Sequence, residues 1–263
     1  MNKTLLVLAS TVAIVALPQM VQAQTAAPAT PAAAPAAEPA ADPLSFNVSL
    51  TSDYRYRGIS QSRLKPAIQG GVDYALPAGF YIGAWASSIK WVKDAGGGAN
   101  AEIDLYGGYK GEITKDLTFD VGVLTYQYPS NDLPTSTNTT EIYGALTYGP
   151  ATLKYSHSVT NLFGFADSKG SGYLDLSATF EVGPAIQLIP HVGYQKVAGG
   201  ANSDFSYTDY SFTVGKDFSG FFLSAAIVGA DTKSIGGVKA YASPANGKDL
   251  GKAGLVVAVK KTF

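Results

Sequence analysis

After residue 43 the sequence never settles into a helical period. Stretches of about ten residues, rich in Val, Ile, Tyr, Phe and Thr, alternate apolar with polar side chains and are broken by Gly, Pro, Asn and Asp. Twelve can be drawn, over 46–57, 66–76, 79–91, 101–113, 116–128, 139–148, 151–160, 172–182, 185–196, 206–217, 220–231 and 252–263. The connections constrain the fold further. Short ones ("LPAG", "ITKD", "YGPA", "VGPA", "DFSG") alternate with longer polar ones such as "GISQSRLK", "PSNDLPTSTN" and "TKSIGGVKAYASPANGKDL". A soluble sandwich has no reason to gather every tight turn at one end and every long loop at the other, whereas a transmembrane barrel does. The expectation is an all-β chain: one antiparallel, up-and-down transmembrane β-barrel of twelve strands over residues 44–263, with both termini on the short-turn side.

The faces of these stretches carry unlike side chains. In "EIDLYGGYKGEI", Ile103, Leu105 and Tyr109 oppose Glu102, Asp104, Lys110 and Glu112; in "YLDLSATFEV", Leu174, Leu176, Phe180 and Val182 oppose Asp175, Ser177, Thr179 and Glu181. In "FNVSLTSDYRYR", Phe46, Val48, Leu50, Tyr54 and Tyr56 share one face, and Asp53, Arg55 and Arg57 the other. Burying those charges in a dry core would cost several kcal/mol each even after pairing, so the apolar face belongs to lipid and the polar face to a wet lumen. Tyr54 and Tyr56 are then expected to face lipid near the outer interface. The stretch "FYIGAWASSIKW" has no readable phase.

The first 23 residues, with Lys3 before an apolar run and small residues at Val21 and Ala23, read as a cleavable secretory signal; residues 24–43, nearly all Ala and Pro, read as an extended tether. There is no cysteine to staple the exported fold. A formal net charge of -1 gives no general pull towards nucleic acid. The last residues place Leu255, Val257, Val259 and Phe263 on one face, a pattern like the terminal signal read by the barrel assembly machinery, with Lys261 as a departure that can snorkel. Outer-membrane lipids and that machinery are the expected partners, and nothing in the sequence speaks to oligomeric state.

Little of the chemistry suggests an enzyme. His157 in "YSHSVTN" has Ser156 and Ser158 as neighbours, which point to the opposite face, so a Ser–His pair on one face is missing; no catalytic residue, metal site or cofactor is expected. Glu102 and Asp104 could attract a divalent cation weakly or form a hydrated wall opposite Lys110. Arg55 and Arg57 could pair with Asp53 and neighbouring acids or line a constriction. The pore-lining candidates are Asp53, Arg55, Arg57, Asp73, Glu102, Asp104, Lys110, Asp120, Glu141, Lys154, Asp175 and His191. With Glu112, Glu181 and Asp209 they give an acidic excess that should concentrate cations, in a passage narrowed by side chains inside a backbone cylinder of roughly 12 Å radius.

"SDYRYRGISQS", followed by "PAIQGGVDY" and "GFYIGAWASSI", resembles the TorF-like porin family of bacterial outer-membrane proteins, closely over residues 46–91 and loosely to Phe263. The resemblance implies an outer-membrane barrel with a transport role. Together with the lumen charges it leads to an expected channel for small hydrophilic solutes, with an occluded structural barrel, and last a barrel enzyme, as alternatives.

Overall fold

The computed structural model describes residues 43–263; the expected signal and most of the tether lie outside the described residues. Twelve strands form the wall: β1 Leu44–Thr51, β2 Ala67–Ala75, β3 Phe80–Ser88, β4 Ala101–Thr114, β5 Leu117–Gln127, β6 Thr139–Tyr148, β7 Ala151–Ser158, β8 Gly172–Ala178, β9 Ile186–Lys196, β10 Tyr207–Phe218, β11 Phe221–Asp231 and β12 Gly254–Thr262. After a one-residue break β8 continues as Phe180–Glu181, which also pairs with β9. Each strand pairs antiparallel with the next, and β1 pairs with β12 in the register Leu50↔Val259, which closes the cylinder and leaves no sheet edge. Phe46 and Phe263 exchange backbone hydrogen bonds at 2.9 and 3.2 Å, so both ends of the barrel chain lie at the short-turn rim.

Period-two alternation sets the two surfaces. Leu50, Ile68, Ile142, Leu176, Phe212 and Val257 all face outward and are 48 to 61% exposed. Most of their wall partners are apolar too, as in Leu176↔Val192 between β8 and β9, with His157 beside Ile142 as an exception. A soluble monomer exposes apolar patches of at most several hundred Å²; a continuous band around a closed barrel is the surface of a protein in lipid. Lys261, outward on β12, lays its ammonium 4.7 Å from the centre of the Phe221 ring, the snorkelling geometry its position calls for. β3 was unreadable because it carries aromatics on both faces: Phe80 points out while Tyr81 is buried inside.

One expectation fails. The first strand ends at Thr51, not at residue 57, and Tyr54 and Tyr56 do not face lipid. Both are inside the barrel, 2% and 7% exposed. Ser52 still bonds to Val257 on β12, and beyond it the chain leaves the wall and folds inward, with a small hairpin formed by Arg55–Tyr56 and Ile59–Ser60. The reason is in the residues. The even positions of β1 are hydrocarbon (Phe46, Val48, Leu50), but beyond Thr51 they become Ser52, whose Oγ accepts from Val257 N on β12, and then Tyr54 and Tyr56, whose hydroxyls have partners in the lumen and would have none in lipid.

Candidate channel lumen

The inward segment is built around Asp53. Its carboxylate accepts from Arg55 Nε at 2.5 Å, from Ser60 Oγ at 2.5 Å and from Ser62 Oγ at 2.9 Å, while Gln61 N donates to Tyr54 O at 2.7 Å. The hairpin turns on Arg57 and Gly58, at φ +46° and +78°, between the paired residues Tyr56 and Ile59. Positive φ at both central residues is the two-residue turn whose twist suits a tight hairpin. Gly58 is required twice, for that conformation and for space: a Cβ there would lie 2.7 Å from Asp209 Cβ on β10 and from Gly229 O on β11. The tip of a segment that leaves β1 therefore rests against the wall at β10 and β11.

Arg57 is the centre of the contact. Its guanidinium donates to both Glu141 oxygens on β6, at 3.1 and 2.7 Å, and to Gln195 Oε1 on β9 at 2.6 Å. It also stacks between rings, 4.8 Å from the Tyr56 centroid and 4.2 Å from that of Tyr173 on β8. Arg57 and Glu141 are each 2% exposed, and such a pair holds because Nη1 and Nη2 both find acceptors, whereas Nε has none among the described residues. Arg55 reaches the other way, donating to Leu250 O at 2.9 Å and Lys252 O at 3.2 Å, and so ties the long β11–β12 loop to the hairpin. Tyr54 Oη donates to Glu102 at 2.8 Å, and Tyr56 Oη shares a 2.7 Å hydrogen bond with Tyr126 Oη, which donates on to Glu141. Phe163, from the β7–β8 loop, packs edge-on against Tyr56 and Tyr126.

The twelve candidates are all inside the barrel, in three groups. Asp53, Arg55, Arg57, Glu102, Asp104 and Glu141 belong to the hairpin and the wall around it. Neither carboxylate oxygen of Asp104, which is 0% exposed, has a hydrogen-bond partner among the described residues. No cluster of three or more His, Cys, Asp or Glu among the described residues could hold a metal ion. Asp175 and His191 form a second group: His191 Nε2 lies 2.8 Å from Asp175, and Nδ1 lies 3.6 Å from Asp209, to which Tyr173 Oη donates at 3.0 Å. The third group, towards the short-turn end, is only partly buried. There Tyr106 Oη donates to Asp73 at 2.5 Å and Tyr81 Oη to Asp120 at 2.6 Å; Lys110 lies over the Tyr81 ring at 5.5 Å and Lys154 over Tyr143 at 4.0 Å.

Two kinds of lumen residue escaped the sequence reading. Tyr81, Tyr106, Tyr126, Tyr143 and Tyr173 are lumen hydrogen-bond donors, although tyrosine in a barrel reads first as an interface residue; Tyr106 shares parity with Asp104, and that was the available signal. Lys260 is half-buried on the inward parity of β12, next to the outward Lys261. Glu112 and Glu181 are exposed at the short-turn rim rather than inside. The interior acids Asp53, Asp73, Glu102, Asp104, Asp120, Glu141, Asp175 and Asp209 still outnumber Arg55, Arg57, Lys110, Lys154 and Lys260. His157 is on the lipid-facing parity with Tyr155, 3.3 Å from its hydroxyl, while Ser156 and Ser158 are buried on the other face.

Residues 33–263 match a family described as "Bacterial protein of unknown function (Gcw_chp)". The chain belongs to this family. No curated protein matches it. Among solved structures it is similar to the KdgM porin, described in complex with disordered oligogalacturonate, at TM-score 0.52 and 6% identity over 84% of this chain and 98% of that one. It is also similar to the NanC porin, at TM-score 0.50 and 10% identity over the same shares. At those identities the likeness is one of fold. The chain is a closed twelve-stranded β-barrel with the fold of these outer-membrane proteins, with a lipid-facing band outside and a charged lumen crossed by its own first loop.

Proposed function

We propose that this barrel is a narrow channel for small hydrophilic solutes, weakly preferring cations, and that residues 52–62 are its constriction. One observation carries the reading: the lumen is crossed by a segment held through ion pairs, hydrogen bonds and ring contacts to β4, β5, β6, β8 and β9, in a barrel whose interior acids outnumber its bases. Polar contacts of this kind exchange with water, so a channel can work around or through them, whereas a hydrocarbon plug would exclude both water and ions. The acidic excess favours cations and neutral solutes over a polyanion such as the ligand in the KdgM structure. Kinship with the TorF-like porins, export by the N-terminal signal, the tether at 24–43, assembly through Phe263 and the absence of catalysis belong to the same proposal.

A second reading, an occluded structural barrel, is favoured by the near-zero exposure of Arg57, Glu102 and Asp104. Planar-bilayer recordings separate the two. The channel reading expects discrete conductance, reversal potentials on the cation side in a salt gradient, reduced selectivity in Asp73→Asn/Asp120→Asn, and larger conductance when residues 55–60 are replaced by a short glycine link. Clear anion preference refutes the selectivity, and silence of both the native and the loop-deleted protein refutes the channel.

A further inference from the structure

A cavity of about 220 Å³ opens at the long-loop end, where the start of β2 meets the end of β3; Arg63, Lys65, Pro66, Ser88, Lys90 and Asn246 are among its walls. Its inner walls, Ser62 and Ile89, are buried, and its outer walls lie at the rim of the lipid-facing surface. Ser88 continues the outward parity of Ile82 and Ala86, Lys90 follows it as an exposed residue beyond the strand end, and Ser88 Oγ accepts from the backbone N–H of Ile68, which is 61% exposed in the apolar band. Membrane-facing hydrocarbon and the cavity are therefore separated by a single step along the wall.

The charge there is one-sided. Arg63 is engaged by Asp94, with Nε 2.6 Å from Oδ2 and a second contact from Nη2. Lys65 and Lys90 are exposed, and neither has a carboxylate within ion-pairing distance among the described residues. The cavity thus presents two uncompensated ammoniums and the Asn246 amide to whatever enters from the membrane plane. Those donors suit the oxygens of a phosphate monoester, and their position directly above exposed apolar wall suits a phosphate carried on acyl chains.

We propose that this cavity binds the phosphate headgroup of an outer-leaflet glycolipid, with Lys65 and Lys90 on the phosphate and the acyl chains along Ile68 and Ala86. The proposal does not depend on whether the lumen conducts; it requires only that the long-loop end faces the cell exterior. Native mass spectrometry of the full barrel released from detergent micelles tests it, with bis-phosphorylated lipid A and its dephosphorylated counterpart as probes. The phosphorylated lipid should bind about tenfold or more tightly than the dephosphorylated one, and Lys65→Glu/Lys90→Glu should abolish that preference while heat-modifiable migration on SDS gels stays native. Equal binding of the two lipids by the native protein, or an undiminished preference in the double variant, overturns the proposal. Displacement of the lipid by millimolar inorganic phosphate makes the cavity a soluble-anion site and overturns the lipid assignment. The native protein's own preference between the two probes decides the matter even if the double variant does not fold.

Discussion

Residues 51–57 and 172–178 alternate side chains in the same way, yet only the second stretch is wall. In β8, Leu174 and Leu176 face out at 47% and 48% exposure while Tyr173, Asp175 and Ser177 are buried inside. In "TSDYRYR" both faces are polar or hydroxylated, and the stretch leaves the sheet to fill the lumen. The difference teaches that alternation alone does not make a membrane strand. One of the two faces must be hydrocarbon, because a hydroxyl or backbone group without a partner in lipid costs several kcal/mol. Where neither face qualifies, the interior of the barrel is the better environment.

The largest expected effect tests the inward segment. Glu141→Ala leaves Arg57 buried with half its partners gone, a loss of about 3–5 kcal/mol for breaking one side of a buried pair. That loss should appear as release of the hairpin and not as unfolding: native heat-modifiable migration with protease sensitivity at 55–60 and increased conductance. Failure of the barrel to assemble would mean that the hairpin is part of the folding core. On the wall side, Leu176→Arg should destabilise by about 2–4 kcal/mol if the site is near the bilayer midplane, measured by urea unfolding in lipid vesicles. A change below about 1 kcal/mol would put Leu176 near an interface or off the lipid face. Tyr54→Phe should be smallest, because it removes one hydrogen bond to Glu102 and keeps the ring against Trp85, at about 1–2 kcal/mol. It should raise protease cutting of the hairpin slightly and leave barrel unfolding unchanged. A loss equal to that of Leu176→Arg would erase the distinction between the two regions.

The inward turn had a trace in the sequence. "YRGI" is a two-residue loop ending in glycine between β-prone residues, the ordinary mark of a hairpin. By alternation alone it extends the preceding strand, because Tyr54 and Tyr56 also suit the aromatic girdle of a barrel. Asp53, Arg55 and Arg57 were still assigned to the lumen, and they are there, although they come from the hairpin and not from the wall.

By itself the sequence determined what is local and periodic: twelve strands, the end at which the turns are short, the hydrocarbon face of the strands whose two faces differ and the acidic interior. Those follow from a side-chain period of two and from the cost of charge in lipid, and each can be read within about ten residues. Only the tertiary structure decided what occupies the lumen. Arg57 meets Glu141 across 84 residues of chain and Gln195 across 138, and Gly58 meets Asp209 Cβ on β10. Parity states that two faces differ, but which groups share the interior depends on the circumference of the closed barrel and on how far a loop reaches across it, quantities that exist only once β1 has paired with β12.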